Sequence, residues 1–162
     1  LALHFPPYVE DALVPDDLRF VLRKAGVRNR VVVISACYSG GFVPRLRGDD
    51  ALVMTAARQD RPSFGCGADS TATFFGRAWL VEGLNRTTDF AEAFRHAQAR
   101  IHAWETLEGD EPSHPQVSEG KAIEKRLAAW RAQLAPGPAV AYPWPLDDLD
   151  HPQVQGEAAS RR

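Results

Sequence analysis

Cys37 closes an almost wholly apolar run, Val31-Val32-Val33-Ile34-Ser35-Ala36, and is followed at once by Tyr38-Ser39-Gly40-Gly41. A cysteine attacks a carbonyl as its thiolate, and an ordinary thiol ionises at about pH 8.5, so only a few per cent is reactive at neutral pH. Such a residue needs a base. Paired glycines permit a tight turn and a close backbone approach that a side chain would block. Taken alone, these residues leave two readings of Cys37 open: a nucleophile, or a small buried hydrophobe at the end of a strand. Five histidines are available. His96 and His102 are six positions apart, which on a helix at about 100° per residue puts them about 240° apart and excludes an i, i+4 pair. His96 falls opposite the apolar stripe of its helix and reads as a solvated surface residue. His114 lies in a polar loop, His151 in a proline-rich tail, and His4 inside a short strand beside Pro6 and Pro7. None of them reads as the partner that Cys37 needs.

The elements that would hold Cys37 are legible from the apolar pattern. Residues 1–5 alternate and then meet two prolines, a short strand that stops where backbone donors vanish. A helix is predicted over 15–25, with Pro15 at its first position, Asp16 and Asp17 in the first turn, Arg23 and Lys24 in the last, and Gly26 as its stop. Residues 31–36, β-branched and without alternation, predict a parallel strand buried on both faces, so that Cys37 sits just past its carboxyl end, the edge where open α/β sheets bind ligands. One helical turn is predicted over 42–46 and a neighbouring strand over 51–57, whose end at Thr55-Ala56 would share that edge. The segment 58–70 is a loop leaving it. Helices are predicted over 73–84, from Asp89 through Trp104, and over 121–135, with a brief edge strand over 115–118. Residues 136–162 carry Pro138, Pro143, Pro145 and Pro152 and read as an extended tail.

The 162 residues are 44% hydrophobic and 25% charged, enough for one sizeable core, and the domain is expected over 1–135. A net charge of −2 with dispersed Lys and Arg gives no support to a nucleic-acid partner. The two cysteines, Cys37 and Cys66, do not make a disulfide framework, and no set of ligands has zinc spacing. No apolar run approaches the roughly 18 residues of a membrane span, and residues 1–20 lack the pattern of a signal peptide. Leu1-Ala2-Leu3 reads as the middle of a strand, so the chain is expected to be an amino-terminally truncated piece.

Ser35-Ala36-Cys37-Tyr38-Ser39-Gly40-Gly41, then Val53-Met54-Thr55-Ala56-Ala57, Ser63-Phe64-Gly65-Cys66 and Phe75-Gly76-Arg77-Ala78-Trp79, in that order, resembles the legumain-type cysteine peptidases, in particular their bacterial members. That family also contains the catalytic subunit of the GPI-anchor transamidase. The resemblance covers about residues 1–135. It implies an α/β, caspase-like three-layer sandwich with a mainly parallel sheet, a Cys–His dyad, a peptide or protein substrate and no cofactor or metal. Cys37 matches the nucleophile, with its own backbone N–H, and that of Gly40, facing the oxyanion. Ser35, Tyr38, Thr55 and Ala56 match positions near the substrate cleft. The family's His-Gly element has no match here and is expected upstream of residue 1. Legumain's acidic residues flanking the nucleophile are Ser35 and Tyr38 in this chain, so its asparagine preference does not carry over. Asp60 or Asp69, on the loop after the second strand, could instead receive a polar or basic side chain, against the commoner state of a solvated carboxylate. The resemblance leaves hydrolysis and transamidation open, and a catalytically inactive binding or scaffold module stands as the reading of another class.

Overall fold

The computed structural model describes residues 2–5, 9–65, 72–135 and 137. Two short strands, β1 (Ala2–Phe5) and β2 (Val9–Ala12), pair as an antiparallel hairpin with Phe5 opposite Val9. Only the first of them was expected, because two acids in four residues give β2 little strand character. Helix α1 (Pro15–Lys24) begins and ends as the sequence predicts: Pro15 opens it, the Asp17 carboxylate accepts from the Val14 N–H at 3.4 Å, and Gly26 turns the chain away with φ +70°. Strand β3 is Arg30–Ile34, ending two residues short of the predicted 36. A 3₁₀ turn, Ser39–Phe42, runs into the single-turn helix α2 (Val43–Leu46), and β4 follows at Ala51–Thr55.

Strand β3 pairs parallel with β4, setting Ile34 beside Thr55, and β4 pairs antiparallel with β5 (Gln116–Glu119). The order is β3-β4-β5. The apolar run at 31–34 therefore lies at an edge among the described residues, with Val31, Val32 and Val33 only half-buried, and β4 is the central strand, all five of its residues buried. A run without alternation reports burial on both faces; it does not report how many strands lie alongside.

Alternate residues of β4 serve two cores. Leu52 and Met54 face a cluster that includes Phe74, Phe75, Trp79, Phe94, Ile101, Trp104, Ile123 and Leu127. Ala51 and Val53 face Ile34, Phe42 and Leu46, with Leu18 and Leu22 of α1 packed against them. Helices thus cover both faces, the three-layer α/β arrangement that the resemblance implies. On the larger face, α3 (Phe74–Gly76) continues as a π-helix over Arg77–Gly83, in place of one α-helix over 73–84. The wider turn is read in the bond from the Leu84 N–H to the Trp79 carbonyl. Gly83 allows it to lie against α4 (Phe90–Glu108), since a Cβ there would come within 2.9 Å of the Ala93 carbonyl oxygen.

Helix α4 is capped by Asp89, whose carboxylate accepts from the N–H groups of Ala91 and Glu92. The Glu92 carboxylate accepts from the Thr87 hydroxyl at 2.6 Å. Helix α5 (Lys121–Arg131) follows Gly120 and is capped from a distance: the Asp49 carboxylate accepts from the Lys121 and Ala122 N–H groups, and the Asp49 carbonyl from those of Ala122 and Ile123. Gly120 must pass directly over the 48–49 backbone, where a Cβ would overlap Gly48 O and Asp49 O. The tail beyond 137 that was read as extended, together with Cys66 and Asp69, lies outside the described residues.

Because the obstruction at Gly120 is backbone, Gly120→Ala is expected to destabilise the fold by about 1–3 kcal/mol, the usual cost of overpacking. Phe94→Ala, emptying a fully buried site, is expected to cost about 3–5 kcal/mol. Urea titrations monitored by tryptophan fluorescence check both, with a lowered midpoint at unchanged slope.

Candidate active site

The parallel register of β3 and β4 releases two loops from one sheet edge, as the sequence predicts. The ladder extends one step past the strands, with the Ala56 N–H donating to the Ile34 carbonyl at 3.0 Å. The loops are then joined to each other. The buried Ser39 hydroxyl accepts from the Ala57 N–H at 3.2 Å, and Gly40 lies so close to residues 57–59 that a Cβ would sit 2.5 Å from the Gln59 nitrogen and 2.9 Å from the Ala57 oxygen. The close approach expected of Gly40 is thus to the chain's own backbone, which explains the glycine without a ligand. Gly41 faces open space.

Between strand and 3₁₀ turn the chain makes a strained corner. Tyr38 adopts φ 58° and ψ 15°, a left-handed conformation costing a non-glycine residue roughly 1–2 kcal/mol. Its N–H donates to the Arg61 carbonyl at 2.8 Å, which offsets part of that cost and brings the second loop to the first. The corner leaves the side chains of Cys37 and Tyr38 exposed. The Cys37 sulfur accepts from the Ser63 N–H at 3.3 Å, its S–H donates toward the Ser63 carbonyl at 3.5 Å, and the Ser63 hydroxyl is 3.7 Å away. Among the described residues, Cys37 is a free thiol and these contacts to Ser63 are its polar partners. The reading of Cys37 as a small buried hydrophobe is excluded by its exposure.

The structure distributes the other predicted site residues unevenly. Ser35 is exposed at the edge, and its hydroxyl lies 3.0 Å from that of Thr73, which in turn accepts from the Gly76 N–H and caps α3. Strand end and helix start are thereby tied together. Thr55 and Ala56 are 0% and 1% exposed, and the Thr55 hydroxyl donates to the Ala57 carbonyl. Both lie buried beneath the edge, continuous with a strand whose five residues are all buried. Asp60 is exposed but engaged, forming a two-point ion pair with Arg58 at 2.5 and 2.9 Å. That pairing holds the Asp60 carboxyl below its ordinary range and raises the Arg58 guanidinium. The loop is further tied down by an Arg61–Glu111 ion pair and by the Arg58 N–H donating to the Ser113 carbonyl at 2.8 Å.

Among the described residues no histidine is a hydrogen-bond partner of Cys37, and His102 and His114 line a cavity with Arg58 and Gln116. His96, expected on a solvated face, is partly buried with Nε2 3.4 Å from the Glu82 carboxylate. The cause is the π-helix: it sets Arg77 and Glu82, five apart, on the same side, with Arg77 Nε 3.7 Å from that carboxylate. Arg100 completes the group with a 2.7 Å bond, and the guanidinium groups of Arg77 and Arg100 lie 4.4 and 4.9 Å from the Trp104 ring centroid. His102 and His114 are exposed, the latter with φ 53°. Among the described residues no cluster of three His, Cys, Asp or Glu could hold a metal ion, and no helix is long and apolar enough to cross a membrane.

The roles of Ser39, Ser63 and Thr73 are not legible in the sequence because they depend on loop contacts across 18, 26 and 38 positions. The one available signal is that Ser39 and Ser63 belong to segments of the family resemblance. A family model described as the Peptidase C13 family matches residues 2–124, a span that includes both strand ends, Cys37, Ser63 and Thr73. No curated protein matches the chain.

The Asp60 pairing carries its own pH signature. A carboxyl held low by a folded-state partner contributes stability above its unfolded titration point, and that contribution is lost as pH falls through its folded value. An NMR titration of the Asp60 carboxyl carbon is expected to give a midpoint below the usual value of about 3.9, and Arg58→Ala is expected to return it upward.

Proposed function

The chain belongs to the peptidase C13 family, that of legumain and the GPI-anchor transamidase, and from that premise we propose that the intact protein is a cysteine endopeptidase with Cys37 as its nucleophile. Family membership itself implies cysteine peptidase or transamidase chemistry on a protein substrate. The observation that carries the finer reading is the exposed thiol of Cys37 at the shared edge of two parallel strands, on a strained corner held by main-chain contacts. Strain at a sparsely populated backbone conformation persists only where the surroundings enforce it, and it concentrates at reactive sites.

In this reading a histidine accepts the thiol proton and the sulfur attacks the carbonyl carbon of the scissile bond. The oxygen takes up the negative charge, and the Cys37 backbone N–H donates to it. Collapse of the tetrahedral adduct expels the amine, which takes the proton back from the imidazolium, and leaves a thioester on Cys37. Water, deprotonated by the same histidine, then releases the acid and restores the thiol. If a substrate amine replaces the water, the product is a new amide.

We place the histidine on a strand upstream that would lie alongside β3. The side of β3 away from β4 supports this: among the described residues no strand pairs there, its valines are half-buried, and Trp130, which lines a cavity with Arg30 and Val31, is exposed. The side chains of Ser35 and Tyr38 flank the thiol and would meet substrate first. Asp60 would have to leave Arg58 to receive a basic group, so a neutral or mildly polar substrate side chain fits this edge better. Thr55 and Ala56 act from beneath by fixing the second loop.

The full-length protein decides this directly. Cys37→Ala is expected to lower cleavage of a peptide library by about 10³-fold or more, while Cys66→Ala leaves it within a factor of a few. Retained cleavage by Cys37→Ala would refute the assignment. Added hydroxylamine or a glycine amide appearing in the product would identify transamidation in place of hydrolysis.

A further inference from the structure

We propose that Ser63 is the positioning residue of the reacting sulfur and that it acts through its main chain, an inference that rests on Cys37 being the nucleophile. An exposed cysteine side chain is otherwise free among three staggered rotamers. Here one residue, 26 positions on, meets the sulfur with three groups: N–H at 3.3 Å, carbonyl oxygen at 3.5 Å and hydroxyl at 3.7 Å.

The two main-chain groups favour different protonation states. The carbonyl accepts from the thiol, a weak donor, and loses that bond when the proton leaves. The N–H donates to the sulfur, and a hydrogen bond to an ionised partner is roughly twice as strong as a neutral one. On ionisation the gain therefore exceeds the loss, and the amide holds the attacking anion in the same place as the resting thiol. The hydroxyl, farthest of the three, is not needed for this.

The placement of that amide is enforced on both sides. Two residues before it, the Arg61 carbonyl takes the N–H of Tyr38, the residue after the nucleophile, and the Arg61 side chain pairs with Glu111. Pro62 then fixes φ at about −65° and biases Arg61 toward extended backbone. One residue after it, the Phe64 carbonyl accepts from the Phe74 N–H at 3.1 Å, at the start of the helix whose cap, Thr73, meets Ser35. Ser63 is thus clamped between the nucleophile's corner and the helix beside it, and its amide has no freedom to turn away.

The test is the pH dependence of Cys37 alkylation by iodoacetamide, followed by mass spectrometry of the Cys37 peptide in the full-length protein. Ser63→Ala keeps the amide, and its profile is expected to superimpose on that of the wild type. Ser63→Pro removes the N–H, and its profile is expected to be displaced toward higher pH with an unchanged plateau. A Ser63→Pro profile that does not move overturns the proposal, as does a Ser63→Ala profile that moves as far. Should Ser63→Pro lack the wild-type circular dichroism spectrum, the wild-type protein decides: the ¹⁵N–¹H resonance of Ser63 is expected to titrate in step with alkylation and to stop titrating once Cys37 is alkylated. An amide signal indifferent to both is the contrary result. Alkylation reads the sulfur without any peptidase activity, so failure here is separable from failure of the nucleophile assignment, which Cys37→Ala decides.

Discussion

The candidate site depends on one constraint: β3 and β4 run parallel in a register that sets Ile34 beside Thr55. Parallel strands deliver both of their following loops to the same edge, whereas an antiparallel pair would send them to opposite ends. The register is fixed from the side of β4, because a strand buried on both faces cannot slip by one residue without exchanging Leu52 and Met54 for Ala51 and Val53 between two differently shaped cores. Once the edge is set, the distance between the loops is short enough for backbone to meet backbone at Gly40, and the rest of the site follows from that contact.

The corner at Tyr38 shows how such a site is kept rigid without deep burial. A left-handed non-glycine residue is unfavourable alone, but here it is tied on the near side to the Arg61 carbonyl and on the far side to a buried turn in which Ser39 captures the Ala57 N–H. The second loop is itself held by ion pairs at Arg58 and Arg61 and by the Ser113 carbonyl. Exposed ion pairs of this kind contribute little to global stability. Their effect is local, choosing one conformation for a segment that has no periodic structure of its own.

The sequence was most informative where a physical pattern is local. The apolar runs at 31–34 and 51–55, the Pro15 to Gly26 helix and the Asp89 cap all follow from nearest neighbours, and each is found within a few residues of its predicted place. Cys37 at the strand's end was legible for the same reason. Contacts that join distant segments were not: nothing in the order of residues tells that Asp49 caps α5, that Ser63 reaches Cys37, or that Gly40 is needed against 57–59. The π-helix at Arg77–Gly83 was hidden because its apolar positions fit a 3.6-residue period nearly as well, and with it went the surroundings of His96. The strand pattern puts Thr55 and Ala56 at the shared edge but does not tell that both are buried there, since proximity along a strand does not say how a residue is covered.

The central claim is that Cys37 is the nucleophile of a cysteine peptidase, and a mechanism-directed label tests it most directly. Full-length protein would be treated with peptides carrying an acyloxymethyl ketone and digested for mass spectrometry. A covalent thioether on Cys37 is expected, formed faster than with a non-peptidic alkylating agent of equal intrinsic reactivity. Labelling that falls on Cys66 while Cys37 stays unmodified, or labelling of Cys37 with no preference for the peptide-bearing reagent, would contradict it.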